Sequence, residues 1–324
     1  MKRIVVLAGG FGGARFLRGL RAVAPESKIT VVANTGDDIT LFGLRICPDL
    51  DTLMYTLGGV VNEKTGWGRD GETFNSKAEL AGFGVGPSWF GLGDRDLATH
   101  LIRTEMLNAG YSLTDVTSAL AKRWELGLEL LPMCDERVET HVRIRDEDGD
   151  RFIHFQEWWI RLGAKVAAEQ FVAINIEQSR PAKGVLEAIA GADLIILAPS
   201  NPVVSSGIIL QVPGILTALK NAKAPIVGVS PIINGAPVRG MADKCLTAIG
   251  VETSAHAVGA HYGARSAGGL LDGWLVDTTD LPVEINGIEV RALNLLMIDP
   301  VTTQAIAQEA LNLGRALSNQ RVGS

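Results

Sequence analysis

"RIVVLAGGFGGARFLRGLRAVAPESKITVVANTGDD", residues 3–38, decides the fold. Its first run, Ile4 to Ala8, is apolar and rich in β-branched residues without alternation, which is how a strand buried on both faces reads. Glycines at 9, 10, 12 and 13 follow, then Phe16, Leu17 and Leu20 at helical spacing, then a second apolar run that ends in a polar loop. Strand, glycine turn, helix and strand in so short a span make a βαβ unit, and a βαβ unit implies a parallel sheet.

Outward from this unit the alternation continues. Further strands are expected in "FVAINI" (171–176), "DLIILAPSNP" (193–202) and "APIVGVSPI" (224–232). Helices are expected in "VLEAIAG" and "PGILTALKNA", and "TTQAIAQEALNLGRAL" reads as a closing amphipathic helix. The expected architecture is a single α/β domain over residues 1–324, a Rossmann-like, doubly wound, mostly parallel sheet. Residues 60–165 break the pattern. "DRDLATHLIRTEMLNAG" and "LTDVTSALAKRW" read as two helices, and "ETHVRIRDEDGDRFIHFQEWW" as two strands around an Asp148-Gly149 turn. This region is read as a helical and β-hairpin insert packed over the ligand end of the sheet. The tip "DEDGD" has its glycine one place too early for a calcium loop, and no bidentate glutamate follows, so it is read as a solvated turn.

Composition narrows the class. The chain has 324 residues, 47% hydrophobic and 20% charged, with a net charge of −6, which argues against nucleic acid or an anionic membrane as the main partner. Its three cysteines form no CxxC pair, which fits a reducing, cytoplasmic setting rather than a disulfide frame or a zinc knuckle. No apolar run reaches the ~18–20 residues that a membrane span needs. A homodimer is expected, with no residue to which that expectation attaches.

In an open α/β sheet, ligands sit at the carboxyl ends of the strands. The first such end carries Gly10, Gly12 and Gly13, whose backbone suits a phosphate at a helix start. It is not a dinucleotide fingerprint, because Arg15 stands where the third glycine would fall, nor a P-loop, because no Gly-Lys-Ser/Thr follows. The second end carries Asp37 and Asp38, with Asp49 and Asp51 close behind. Four carboxylates so near one another point to a magnesium site beside phosphate oxygens, although Asp49 or Asp51 would serve equally well as a helix cap. Spacing does not choose among them. The later ends carry Ser200 with Asn201 and Ser230 with Asn234, groups suited to a nucleotide or to turn formation. In "GLGDRDLATH" (91–100), Asp94 reads as the helix cap, while Asp96, His100 and Arg103 share one helix face. His154 reads as packed, and His256 and His261 as part of a solvated helix end. No Gly-x-Ser-x-Gly elbow is present, so covalent catalysis has no candidate.

As a set, "LAGGFGGARFLRGL", "NTGDD", "CPDLDTLMYTLGG", "GLGDRDLATHLIRT", "LLPMCDERVETHV", "IHFQEWW", "LAPSNPVVS" and "SPIINGAPVRGMADK" resemble the 2-phospho-L-lactate transferase family of coenzyme F-420 biosynthesis. The resemblance runs to at least Trp274, and the wording of several motifs is most similar to the actinobacterial phosphoenolpyruvate transferases. It implies a magnesium-dependent transfer from a guanosine diphosphate ester of lactate or enolpyruvate to the deazaflavin FO (7,8-didemethyl-8-hydroxy-5-deazariboflavin), with release of GMP. It places FO contacts on Asp51 and Arg95, and donor contacts on the Ser200–Asn201 and Ser230–Asn234 loops. On physical grounds Asp51 and Asp49 are the expected catalytic carboxylates and the glycine loop a further donor contact. The alternative is a nucleotide-sugar-binding regulatory protein of related fold, without turnover. A nicotinamide oxidoreductase is disfavoured by the missing fingerprint.

Overall fold

The protein, seen in a computed structural model, is described over residues 1–322. The chain runs β1 (Arg3–Ala8), α1 (Gly10–Val23), β2 (Lys28–Ala33), the short hairpin β3 (Ile39–Leu41) and β4 (Leu44–Ile46), and α2 (Pro48–Leu57). Then come α3 (Asn75–Gly82), α4 (Asp94–Asn108), α5 (Leu113–Ala121), β5 (Glu129–Pro132), β6 (Glu139–Asp146), β7 (Gly149–His154) and β8 (Ala168–Ile174). The second half holds α6 (Val185–Gly191), β9 (Leu194–Leu197), α7 (Ser206–Gln211), α8 (Ile215–Asn221), β10 (Ile226–Val229) and the two-residue strands β11 (Ile232–Ile233) and β12 (Ala236–Pro237). It closes with α9 (Ala242–Ala248), α10 (Ala255–Tyr262), β13 (Gly273–Asp277), β14 (Glu289–Leu293) and α11 (Pro300–Val322).

Seven strands form one sheet in the order β14-β13-β10-β9-β1-β2-β5, and every pairing within it is parallel. The unbroken apolar run of β1 has a direct cause. Val5 and Leu7 point into one core with Ile195 and Leu197 of β9. Ile4, Val6 and Ala8 point into the opposite core with Leu194 and Ile196. Helices α6 to α10 cover the first face, and α1, α2, α5 and α11 the second. The closing helix α11 lies against α1 at Gly19, where an added Cβ would stand 2.5 Å from the Thr303 carbonyl oxygen. Only glycine permits that approach.

Three expectations change. "FVAINI" belongs to β8, which pairs antiparallel with β6 in a separate three-stranded sheet ordered β7-β6-β8. Apolar strand residues need a covered face, and an antiparallel sheet packed on the core supplies one as well as a parallel sheet does. The segment 60–165 is not wholly off the main sheet, because β5 within it forms the sheet's edge beside β2. In "FQEWW", residues Glu157–Arg161 form a wide helical turn that buries Trp158 rather than continuing a strand. The 146–149 turn is a plain hairpin whose acids pair with arginines, Asp146 with Arg151 and Asp150 with Arg143. Among the described residues, no helix is long and apolar enough to cross a membrane.

Candidate functional site

Sheet order reverses between β1 and β9, and it is outside the carboxyl ends of the strands at such a switch point that open α/β sheets bind ligands. The glycines there allow close backbone packing. A Cβ at Gly12 would lie 2.3 Å from the Pro199 carbonyl oxygen, and one at Gly13 would lie 2.9 Å from Ser200 Oγ. The Ser200 hydroxyl donates to the Gly9 carbonyl (2.8 Å) and accepts from the Gly9 N–H (3.0 Å), so it stitches the two strand ends together. Asn201 accepts from the Val203 and Val204 N–H groups. Ser230 closes its own turn onto Ile232, and Asn234, with φ of 51°, makes the tight β11–β12 turn with Gly235. The structure thus gives all four loop residues work within their loops.

The acidic cluster divides into two kinds of carboxylate. Asp38 has a partner cation, since Arg45 reaches its Oδ2 at 2.8 Å and the Cys47 thiol donates to the same oxygen at 3.0 Å. Asp51 has one too, held by both terminal nitrogens of Arg103. Asp37 and Asp49 have none. They are joined through Asn34, whose Nδ2 donates to Asp49 Oδ2 at 2.8 Å and to Asp37 Oδ1 at 3.3 Å. Gly10 at the start of α1 donates its N–H to Asp49, and a Cβ at Gly9 would sit 2.5 Å from Asp49 Oδ2. The pair therefore lies directly beneath the glycine loop. Burial pushes the Asp49 carboxyl up to about 6, and burial together with the charge of Asp49 pushes Asp37 well above the carboxylate range. Two buried carboxylates with no basic side chain as partner resist ionisation, and their hard oxygen donors are of the kind that could hold a divalent ion. Asp38 Oδ1, also buried, has no partner.

The second half of the site lies on α4. This helix buries only Thr99, His100 and Arg103, a polar face where a structural helix would bury an apolar one. A chain of contacts runs along that face. Arg103 Nη1 lies 3.1 Å from His100 Nδ1, His100 Nε2 lies 3.4 Å from Asp96 Oδ2, and the Tyr55 hydroxyl donates to Asp96 Oδ1 at 2.6 Å. Asp51, Asp96 and His100 offer ligand atoms within 4.8 Å of one another, but the Arg103 guanidinium already supplies positive charge there. Arg95 is exposed, with Nη1 bonded to the Asp70 carbonyl at 3.0 Å.

Capping differs from the sequence reading. Asp94 does not cap its own helix. It accepts from Thr73 Oγ1 (2.5 Å) and from the N–H groups of Asn75 (3.0 Å) and Ser76 (2.9 Å), so it caps α3. Those donors hold its carboxyl well below the usual range. Glu72 takes its place on α4, accepting from the N–H groups of Arg95 and Asp96 at 2.8 Å each. Nor do Asp49 or Asp51 cap α2. The helix begins at Pro48, and both lie inside its first turn. Sequence reasoning passed over Asn34, Arg45 and Tyr55. Asn34 carried a signal, since it closes β2 next to the acidic cluster. His154 is packed as expected, with Nε2 3.1 Å from the Asp38 carbonyl.

The comparisons with known proteins cover the whole site. The family model described as 2-phospho-L-lactate transferase CofD matches residues 4–307. The chain is 60% identical to the phosphoenolpyruvate transferase of Streptomyces griseus over 96% of this chain and 98% of that one. It is 59% identical to the protein of that name from Thermobifida fusca (98% and 99% covered) and 55% identical to that of Mycolicibacterium smegmatis (96% and 98%). A crystal structure of a UPF0052-family protein from Bacillus halodurans superposes with a TM-score of 0.61 at 18% identity, over 96% of this chain and 98% of that one, which shows a shared fold.

Proposed function

Because the chain belongs to the 2-phospho-L-lactate transferase family, and is thus a transferase, we propose that it moves a phosphoenolpyruvyl group from a guanosine diphosphate ester to FO. One observation carries the reading: the buried Asp37–Asp49 pair, lacking any cation of its own, lies under the glycine loop at the switch point of the sheet. Asp37 and Asp49 would hold magnesium, which when bound supplies charge neutralisation for the diphosphate and the transferred phosphoryl group. Their hard oxygen donors and their mutual repulsion fit that ion.

The chain's own residues supply the rest. Phosphoryl transfer depends on positioning and charge more than on covalent chemistry. The terminal ribityl hydroxyl of FO attacks the phosphorus that carries the acid, and Asp51 takes its proton. The bond from that phosphorus to the bridging oxygen breaks, and GMP leaves with the bonding electrons. Arg103 fixes the Asp51 carboxylate through two hydrogen bonds, and exposed Arg95 at the head of α4 meets the deazaflavin. Enolpyruvate is favoured over lactate by the names of relatives 53–61% identical over nearly the whole chain. The test is mass spectrometry of the product from FO with each donor at equal concentration. The dehydro product, two hydrogens lighter than the lactyl one, is expected to predominate and to vanish with excess chelator. A lactyl product in excess would overturn the choice of acid. Donor bound without any product would favour the regulatory alternative.

The pair also makes stability depend on pH. Asp49 titrates near 6 in the folded protein and near 4 when unfolded. Between those values the folded state binds more protons, so stability falls as pH rises through the window. The ordering is thus opposite to that of a salt-bridged aspartate. Magnesium is expected to raise the melting temperature at about pH 7 and to do little near pH 5, where it competes with protons. An equal rise at both would remove Asp49 from the ion's ligands.

A further inference from the structure

A separate cationic cluster stands beside the glycine loop. Phe11, in the first turn of α1, has two guanidiniums over its ring, Arg15 at 4.3 Å from the centroid and Arg239 at 4.5 Å. Both are anchored on backbone. Arg15 Nη1 donates to the Met297 carbonyl at 2.8 Å, and Arg239 Nη1 to the Thr65 carbonyl at 3.1 Å. The turn at Gly66 presses on the cluster. With φ of 79° there, a Cβ would stand 2.7 Å from Arg239 Nη1 and 2.8 Å from Phe11 Cδ2. Only glycine allows that turn to hold the guanidinium against the ring.

The local charge does not balance. Arg18 takes Glu63 at 2.6 Å, leaving Arg15 a looser contact of 3.6 Å with the same carboxylate. Arg239 pairs with no carboxylate among the described residues. Burial lowers the pKa of Arg15, and the charges of Arg239 and Arg18 add to that. Two like charges fixed near each other by three separate chain segments are unfavourable unless an anion joins them. The cluster begins at the residue that follows Gly10, whose N–H holds Asp49.

This placement sets the ligand's chemistry. The donor's phosphorus must lie near the Asp49 side of the loop, and the acid it carries bears a carboxylate a few bonds away. We propose that Arg15 and Arg239 bind the carboxylate of the transferred acid, and so select a carboxylated donor over a plain phosphate ester. Guanidinium N–H groups match the two oxygens of a carboxylate, and Phe11 gathers both guanidiniums against one ring. The inference rests on the proposed transfer and adds the specificity group of that same site.

The experiment measures binding by calorimetry, with GDP, the enolpyruvyl guanosine diphosphate ester and its carboxamide analogue as probes. The parent is expected to bind the carboxylate ester at least tenfold more tightly than the carboxamide. Arg239→Gln, an exposed change, is expected to bring the two within about threefold while binding GDP like the parent. A preference that survives in Arg239→Gln overturns the inference and leaves the transferase reading intact. Equal weakening toward all three probes overturns it too, because the guanidiniums would then serve the diphosphate. A parent that binds none of the probes overturns the transferase reading and this inference together.

Discussion

Replacing Asp49 with asparagine is expected to slow transfer by roughly 10²- to 10³-fold without unfolding the protein. The size follows from removing one preorganised electrostatic group at a reacting phosphate, which costs about that much elsewhere. Asp49 is held in place without a basic partner. It accepts from the Asn34 amide and the Gly10 N–H, and the backbone of Gly9 lies against it. Asparagine fills the same space but turns an amide donor toward one of those donors, a mismatch of about 1–3 kcal/mol. It also removes the like charge facing Asp37, which offsets part of that cost. The variant is therefore expected to melt near the parent temperature at about pH 7 and to gain nothing from magnesium. Single-turnover rates and melting temperatures with and without the ion check both halves. A parent-like rate would show that Asp49 is only a structural partner of Asn34.

The sequence could show that this end of the molecule matters without showing how its charges divide. The first βαβ unit was legible because a strand with both faces covered needs no alternation, and β1 sends its side chains into two cores. Three strands of the seven-stranded sheet were not read. β5 spans four residues and follows directly on helices, and the partly exposed β14 mixes charged and apolar residues like a loop. β13 is wholly buried but only five residues long, and it begins with glycine. "FVAINI" was legible as a strand but not as antiparallel, since burial on a core produces the same pattern either way. The four aspartates announced a charged site. That Asp51 belongs to Arg103 depends on a contact across 52 residues, which no local spacing encodes. The exchange of caps between Asp94 and Glu72 has the same origin. Each carries a carboxylate that can accept from helix-start N–H groups, and only the packing of α3 against α4 assigns the helix it serves.

Replacing Arg103 with methionine should be the most damaging single change on α4. Its side chain is 2% exposed and that of Asp51 6% exposed, so the methionine leaves a buried carboxylate with its main partner gone. Breaking a buried pair from one side costs about 3–5 kcal/mol, because the remaining charge keeps its desolvation penalty and loses its compensation. For a chain of this size that corresponds to a fall in melting temperature of roughly 4–7 °C. His100 Nδ1 would also lose its nearest neighbour, and the longer contacts with Asp96 and with Asp51 itself would remain to orient the ring. The double change, Arg103→Met with Asp51→Leu, separates structure from function. Two apolar side chains of similar volume are expected to restore most of the lost stability, as buried pairs commonly allow. They are not expected to restore transfer, because Asp51 is the carboxylate assigned to the acceptor hydroxyl. Thermal unfolding of the two single variants and the double gives the coupling energy, and FO titration of the same proteins gives the functional part. A stability loss below about 1 kcal/mol in Arg103→Met would mean that water screens the pair. The polar face of α4 would then need another explanation than the ordering of Asp51.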